Sequence, residues 1–351
     1  MRLVGCIRRS LRGTFALGTD RQPTTEPHVS QRDPPMTSDD LDSANMVAGD
    51  APQSQPGMGE PLDLLIDLAS RRRTIATLMV GLAVIGAILG LDMLVFHLTT
   101  DPLNDVQAYY LAGTRLNTGQ ALYPPGLDVN GPHYYFYPPL FAIAFRPLAL
   151  LPYPVAACAW ELFVLIALAT TLWRLGIRRP ATWFAVAVLA RPIAWTVAIG
   201  QAQAMVTLLL AFGSPLTVAL AANLKLFPAL VALWWVGRRD WRSLRRFVGW
   251  SIALGLVQVI LAPTATIDFL RTTGLSQVGD VVNISPYALS PVLWAILVIL
   301  GVGAALRFAR TSWGWTLAVL LGVLASPRLL IYMLSSLLAS LRTPSSRAPK
   351  A

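Results

Sequence analysis

Lysine is nearly missing from this chain. Only Lys225 and Lys350 interrupt an otherwise all-arginine set of 28 basic residues. Charge of either sign is scarce as well, at 13% of 351 residues, where a soluble domain carries about 25%. With 55% hydrophobic residues and a mean hydropathy of +0.56, that scarcity excludes an ordinary soluble globular protein. The apolar residues run in long blocks, so the expected class is all-α, a polytopic integral membrane protein. Two cysteines, Cys6 in a polar stretch and Cys158 in an apolar one, leave no expectation of a disulfide or a zinc site. His28, His97 and His133 share no metal-ligand spacing, and no metal or cofactor is expected. Walker and dinucleotide-binding patterns are missing too, as are internal repeats. The formal charge of +10 does not point to nucleic acid, because the arginines fall in short clusters between apolar runs, where they set membrane orientation.

The chain divides by composition. Residues 1–67 are rich in Pro, Gln, Ser, Thr and Asp and are expected to be a disordered N-terminal tail, or an over-long start with Met36, Met46 and Met58 as other initiators. Residues 68–342 form the expected transmembrane domain, and 343–351 a basic cytoplasmic tail. Arg71-Arg72-Arg73 before the first span, Thr74 to about Leu98, argues for a cytoplasmic N-terminus. Loops 99–137 and 263–290 are then extracytoplasmic. Pro138 to Leu151 is too short to cross comfortably and reads as a re-entrant or interfacial helix before a true span from Val155 to Leu175; two short crossings are the alternative. Ala181 to Ile199 reads as one outward span. Short apolar arms follow around Gly213-Ser214-Pro215 and Lys225 to Pro228, and such broken helices are tolerated at membrane depth where they line a cavity. The expected total is about ten crossings.

Candidate chemistry is confined to few residues. Of eighteen acidic residues eight precede Pro61, which leaves a short list for the membrane domain. Asp105 stands out there, because Asp105, Tyr109, Ala112 and Leu116 recur at helical spacing and would place a carboxylate at the start of an amphipathic surface helix. A helix cap is the plain alternative. Lys225 in apolar sequence is either a snorkelling cation or a cavity wall, and Pro228 with the short arms favours the wall. Arg146, Arg191, Arg271 and Arg328 are further cations expected in the outer half, and Arg146 and Arg328 join Lys225 as candidates for holding a lipid phosphate. Tyrosines in loop 99–137 suit an aromatic belt or a sugar-stacking rim. A transporter or flippase for a lipid-linked or anionic substrate, and a non-catalytic scaffold, are the other classes the pattern admits.

Several segments in order carry a family resemblance: Asp105 to Tyr110 with Ala112, Gly119-Gln120-Ala121-Leu122-Tyr123, Tyr135-Phe136-Tyr137-Pro138-Pro139, Leu151-Pro152 with Trp160, Gly200-Gln201, and Lys225-Leu226-Phe227-Pro228. Together the chain resembles glycosyltransferase family 87, of the multi-spanning GT-C fold. Gln203 departs from the Asn often found after Gly-Gln in such sequences. The resemblance implies a hexosyltransferase of the bacterial plasma membrane with its active site on the extracytoplasmic side. It implies a polyprenyl-phosphate sugar donor, mannose as in part of the family or arabinose as in related members, and a lipid or glycan acceptor, with membrane lipids around it. Asp105 takes the position of the catalytic base, and Tyr109, Tyr110, Tyr137, Gln201 and Asn283 are the expected substrate-binding residues.

Overall fold

The computed structural model describes residues 60–124, 133–272 and 283–342, with side chains from Arg71 onward. Of the tail expected at 1–67, residues 1–59 lie outside the described residues, as do the tail at 343–351 and the loop acids Asp128 and Asp280, whereas residues 60–67 are not tail but the opening turns of the first helix. Every regular element among the described residues is helical.

The first helix, α1, runs Glu60–Thr100, longer at both ends than the apolar run alone suggests. It is apolar nearly all round, and its outer faces (Leu78, Val84, Ile88, Leu91, Val95) stay exposed, as lipid-facing surface does. Its inner face carries Gly86 and Gly90. A Cβ at Gly90 would stand 2.6 Å from the Ala190 Cβ, so the two backbones meet through small residues, the packing that substitutes for a hydrophobic driving force inside a bilayer.

The partners of α1 are α5 (Pro180–Val188) and α6 (Ala190–Ala198). The sequence reads as one span here; the structure bends it by 67°. Pro192 supplies the reason. It has no N–H for the Val188 carbonyl, and its ring crowds that turn, so the helix breaks four residues upstream.

Among the described residues three helices are long and apolar enough to cross a membrane: Arg71–Thr100 within α1, α4 (Tyr153–Leu175) and α10 (Trp241–Leu261); the bent pair α5–α6 makes a fourth if counted as one. Ten full crossings are therefore not what the lengths give. α7 (Gln203–Phe212), α8 (Pro215–Leu224), α13 (Pro291–Arg307), α14 (Gly314–Leu324) and a 3-10 segment, Ile331–Leu341, are shorter apolar pieces. α7 turns into α8 through Gly213 at φ 55, and Ser214 and Thr217 close the turn with reciprocal side-chain and backbone bonds. After Leu224 the chain is extended at Lys225 and then winds as a 3-10 turn over Phe227–Ala232, followed by α9 (Leu233–Arg238).

Between α1 and α4 lie α2 (Asn104–Asn117) and the seven-residue α3 (Pro139–Phe145), which at 1.5 Å per residue is about 10 Å long and cannot cross. α11 (Pro263–Thr272) and the short α12 (Pro286–Leu289) complete the same side.

Among the described residues three buried clusters hold the fold, the smallest joining α13 to α14 through Ala305, Leu321 and Ala325; two larger ones frame the rest. One gathers α7, α8, α9, α14 and the 331–341 segment around Trp234, Trp235 and Trp315. The other sets α2 and α3 against α4 and the start of α7, with Tyr109, Phe141, Phe145 and Trp160 in mutual ring contact. Three of the loop tyrosines, Tyr109, Tyr135 and Tyr137, are core residues and not part of a membrane belt. Hydroxyls here are bonded inside, as buried polar groups must be: Tyr135 donates to the Pro138 carbonyl at 3.1 Å, and the half-buried Tyr123 to that of Tyr137 at 2.6 Å.

Candidate active site

The start of α2 is tied to the end of α6 by two backbone bonds. The Leu103 N–H donates to the Ala198 carbonyl at 3.0 Å, and the Asp105 N–H to that of Ile199 at 3.2 Å. Leu103 takes φ 56 to make this entry, and α2 has no side-chain cap. The Asp105 carboxylate, free of capping duty, turns to the Gln201 amide, whose Nε2–H donates to Oδ2. The Tyr109 hydroxyl lies 3.4 Å from the same oxygen.

Gln201 is the hub. Its side chain is 1% exposed, and its Oε1 accepts from the hydroxyls of Tyr137 and of Tyr109, the latter at 2.8 Å. A tyrosine has one hydroxyl proton, so the shorter contact takes that of Tyr109, and the Tyr109 oxygen accepts the Ala202 N–H at 3.1 Å. Behind Gln201, Gly200 sits at φ 66, and its carbonyl accepts from Trp160 Nε1 at 2.7 Å. The amide is thus held at both ends and presents one N–H to the carboxylate.

Asp105, Tyr109, Tyr137, Gln201, Lys225 and Arg328 line one cavity of about 420 Å³. Lys225 enters it because α8 ends one residue earlier and the backbone there is extended, φ −144 and ψ 129. Its ammonium stands 4.7 Å from the Tyr332 ring and 5.3 Å from that of Tyr137. Nζ is buried and has no hydrogen-bond partner among the described residues. It does not snorkel. Arg328 enters from the turn before the 331–341 segment, with its guanidinium 4.2 Å from the Phe136 ring.

Burial pushes the Asp105 carboxyl up to about 6; the nearby Lys225 charge, the adjacent Tyr109 hydroxyl and the Gln201 amide oppose that rise without cancelling it. The same burial raises the Tyr109 and Tyr137 hydroxyls well above the ordinary phenol range, so both remain neutral donors. The cavity therefore offers an acid–base group poised just below neutrality, two cations, and a wall of rings.

Three expected site residues lie elsewhere, because their polar groups are committed to the scaffold. Arg146 Nε donates to Asn117 Oδ1 at 2.8 Å. Tyr110 donates to the Leu151 carbonyl at 2.9 Å and packs edge-on to Tyr153. Asn283 donates to the Pro327 carbonyl at 2.8 Å while its Oδ1 accepts from the Ser285 and Leu329 N–H groups at 2.9 Å, which fixes the turn that carries Arg328. Conversely, Asp101, Trp195, Gln203, Tyr332 and Ser336 line the cavity and were not singled out for it. Asp101 is held 2.7 Å from His97 Nδ1, and the His97 ring is stacked on Trp195.

The family described as Glycosyltransferase family 87 matches residues 135–342, more than half of the chain. Two curated relatives come from Mycolicibacterium smegmatis. A polyprenol-phosphate-mannose-dependent alpha-(1-2)-phosphatidylinositol pentamannoside mannosyltransferase is 32% identical over 123 residues, which is 30% of this chain and 30% of that protein. A polyprenol-phosphate-mannose-dependent alpha-(1-2)-phosphatidylinositol mannoside mannosyltransferase is 30% identical over 207 residues, 48% of this chain and 46% of that protein. The aligned stretches thus span less than half the length of either relative. No solved structure matches the chain. The matched region contributes Tyr137, Gln201, Lys225 and Arg328 to the cavity and holds Asp105 through Gln201. The chain is a helical membrane protein and belongs to glycosyltransferase family 87.

Proposed function

We propose that the chain is an inverting membrane hexosyltransferase that moves mannose from a polyprenyl-phosphate donor to a glycolipid or glycan acceptor at the extracytoplasmic face of the bacterial plasma membrane. We take its helices as a GT-C-type bundle that frames the cavity. The observation that carries the reading is the pairing, within one chamber, of the Asp105 carboxylate and the Lys225 ammonium, which has no hydrogen-bond partner among the described residues. The two M. smegmatis relatives support the donor by their names, and those names make a phosphatidylinositol mannoside the first acceptor to try.

In the reaction, an acceptor hydroxyl meets Asp105, which takes its proton as the oxygen attacks the anomeric carbon. The bond from that carbon to the phosphate oxygen breaks in line, and polyprenyl phosphate leaves with the electron pair. Lys225 and Arg328 compensate the charge that develops on it. The proton ends on the carboxyl, whose raised affinity for protons suits a base working near neutral pH. Gln201 donates to the carboxylate and keeps the oxygen aimed into the chamber.

The test is Asp105→Asn in a membrane transfer assay with polyprenyl-phosphate [14C]mannose and a phosphatidylinositol mannoside acceptor. A side-chain base of this kind contributes roughly 10²–10⁴-fold, so turnover should fall by that much. Wild-type turnover by the variant would end the assignment of Asp105 as base.

A further inference from the structure

Four residues past Tyr332, the cavity reaches a second polar group that the transfer step leaves unused. Gln203 is 3% exposed, and Thr207 and Ser336 are fully buried. Gln203 and Ser336 line the same chamber as Asp105 and Lys225. Gln203 Nε2–H donates to Ser336 Oγ at 2.6 Å. Thr207 donates to the Gln203 carbonyl at 2.8 Å, so the Ser336 hydroxyl proton goes to Thr207 Oγ1, also at 2.8 Å. Every polar atom of this trio is then satisfied except one. Gln203 Oε1 is buried and has no partner among the described residues. Reversing the amide changes which atom is left over and not the count, because only Ser336 faces the group.

A buried amide end without a partner is costly to keep, and an apolar side chain of the same size would fill the space at no such cost. What satisfies it has to enter through the chamber. The charged members of the chamber wall are Asp101, Asp105, Lys225 and Arg328, and none belongs to the Gln203–Thr207–Ser336 trio. An ionic ligand group finds no counter-charge in that trio. A hydroxyl, donor and acceptor at once, satisfies the amide in either orientation.

We infer that Gln203, backed by Ser336, is a hydroxyl-recognition subsite for the hexose of the donor. Lys225 contacts the Tyr332 ring, and Tyr332 and Ser336 are four residues apart on one 3-10 segment. A sugar whose phosphate rests against Lys225 is thereby brought within reach of Gln203. This inference rests on the proposed transfer reaction and adds to it which residue reads the sugar rather than the lipid phosphate. Gln203 is a specificity residue on this assignment, and it takes no part in moving the proton.

The experiment compares two lipids of equal chain length, polyprenyl-phosphate mannose and bare polyprenyl phosphate, binding to the full-length protein in detergent. Gln203→Met keeps the volume and removes the amide. It should weaken binding of the mannosyl lipid by about tenfold and leave the bare phosphate as in wild type. Should that variant fold poorly, Gln203→Asn and Ser336→Ala carry the same comparison, with a loss in the same direction. Equal loss for both lipids, or loss for neither, overturns the subsite. A wild-type protein that transfers no mannose overturns the proposed function and the subsite with it. Wild-type transfer together with an unchanged mannosyl-lipid preference in Gln203→Met overturns the subsite alone.

Discussion

Asp105 has to be ionised to accept a proton, and its carboxyl is held near 6, up from an ordinary 3.8, mainly by burial. Below about pH 6 the folded protein carries it protonated, and above that value as the carboxylate. The kcat/KM for transfer should therefore rise with pH through a limb centred near 6. A pH profile on membranes or in detergent checks this, and a limb near 4 would place the carboxylate in water. Lys225 stands out in the sequence because a charge in apolar surroundings is expensive and asks for a use, and Asp105 because it opens an amphipathic helical pattern; both line the cavity. Gln201 was legible only as part of a motif, and its task was not. It was expected to touch substrate and is instead bonded at both ends of its amide, to Asp105 and to two tyrosines. Arg146, Tyr110 and Asn283 carry the right chemistry, yet their partners come from positions 29, 41 and 44 residues away, which no single sequence displays.

Elements position the site through their ends more than through their lengths. The Gly200 turn joins α6 to Gln201 at φ 66, and a Cβ there would press on the Val106 side chain and stand 3.3 Å from Glu161 Oε2. Gly200→Ala combines a left-handed backbone with overpacking, a cost of about 1–3 kcal/mol. The strain falls on α2 and the hub, so transfer should drop by more than the fraction of protein lost. Specific activity per folded protein, normalised by size-exclusion recovery, measures it; full specific activity in Gly200→Ala would mean that Gln201 is positioned by other contacts. Apolar periodicity located these helices well but not their breaks. The α5–α6 bend was open to reading from Pro192, although an apolar run of spanning length hid it. By composition the 331–341 segment is one more short apolar run. It winds as a 3-10 helix and brings Tyr332 and Ser336 to the chamber, and nothing in its composition announces that.

At the scale of the whole molecule the arginine clusters, Arg328 aside, lie apart from the chamber. Gly237 packs on Leu306 and Ala309, Arg238 lies over Trp234, Trp234 meets Trp315, and Arg342 lies over Trp315 beside Gly213; Arg174 lies over the adjoining Phe212. These contacts gather the arginine-rich ends of α4, α9 and α13 into one region. The opposite end of α10 is tied to the chamber side, where Gln258 bonds Asn223 and the Leu140 N–H. Arginines mark the cytoplasmic face, so the Asp105 end should face outward. Single cysteines test this in a background with Cys6 and Cys158 changed to serine. Gln120→Cys lies just after α2 and Arg242→Cys at the start of α10, both at exposed positions. A membrane-impermeant maleimide should label Gln120→Cys on intact cells and Arg242→Cys only after permeabilisation. Labelling of both from outside would mean that the chain between them crosses an even number of times in a different arrangement. The reverse pattern would put Asp105 on the side where nucleotide sugars are available, and the case for a lipid-linked donor would lose its footing.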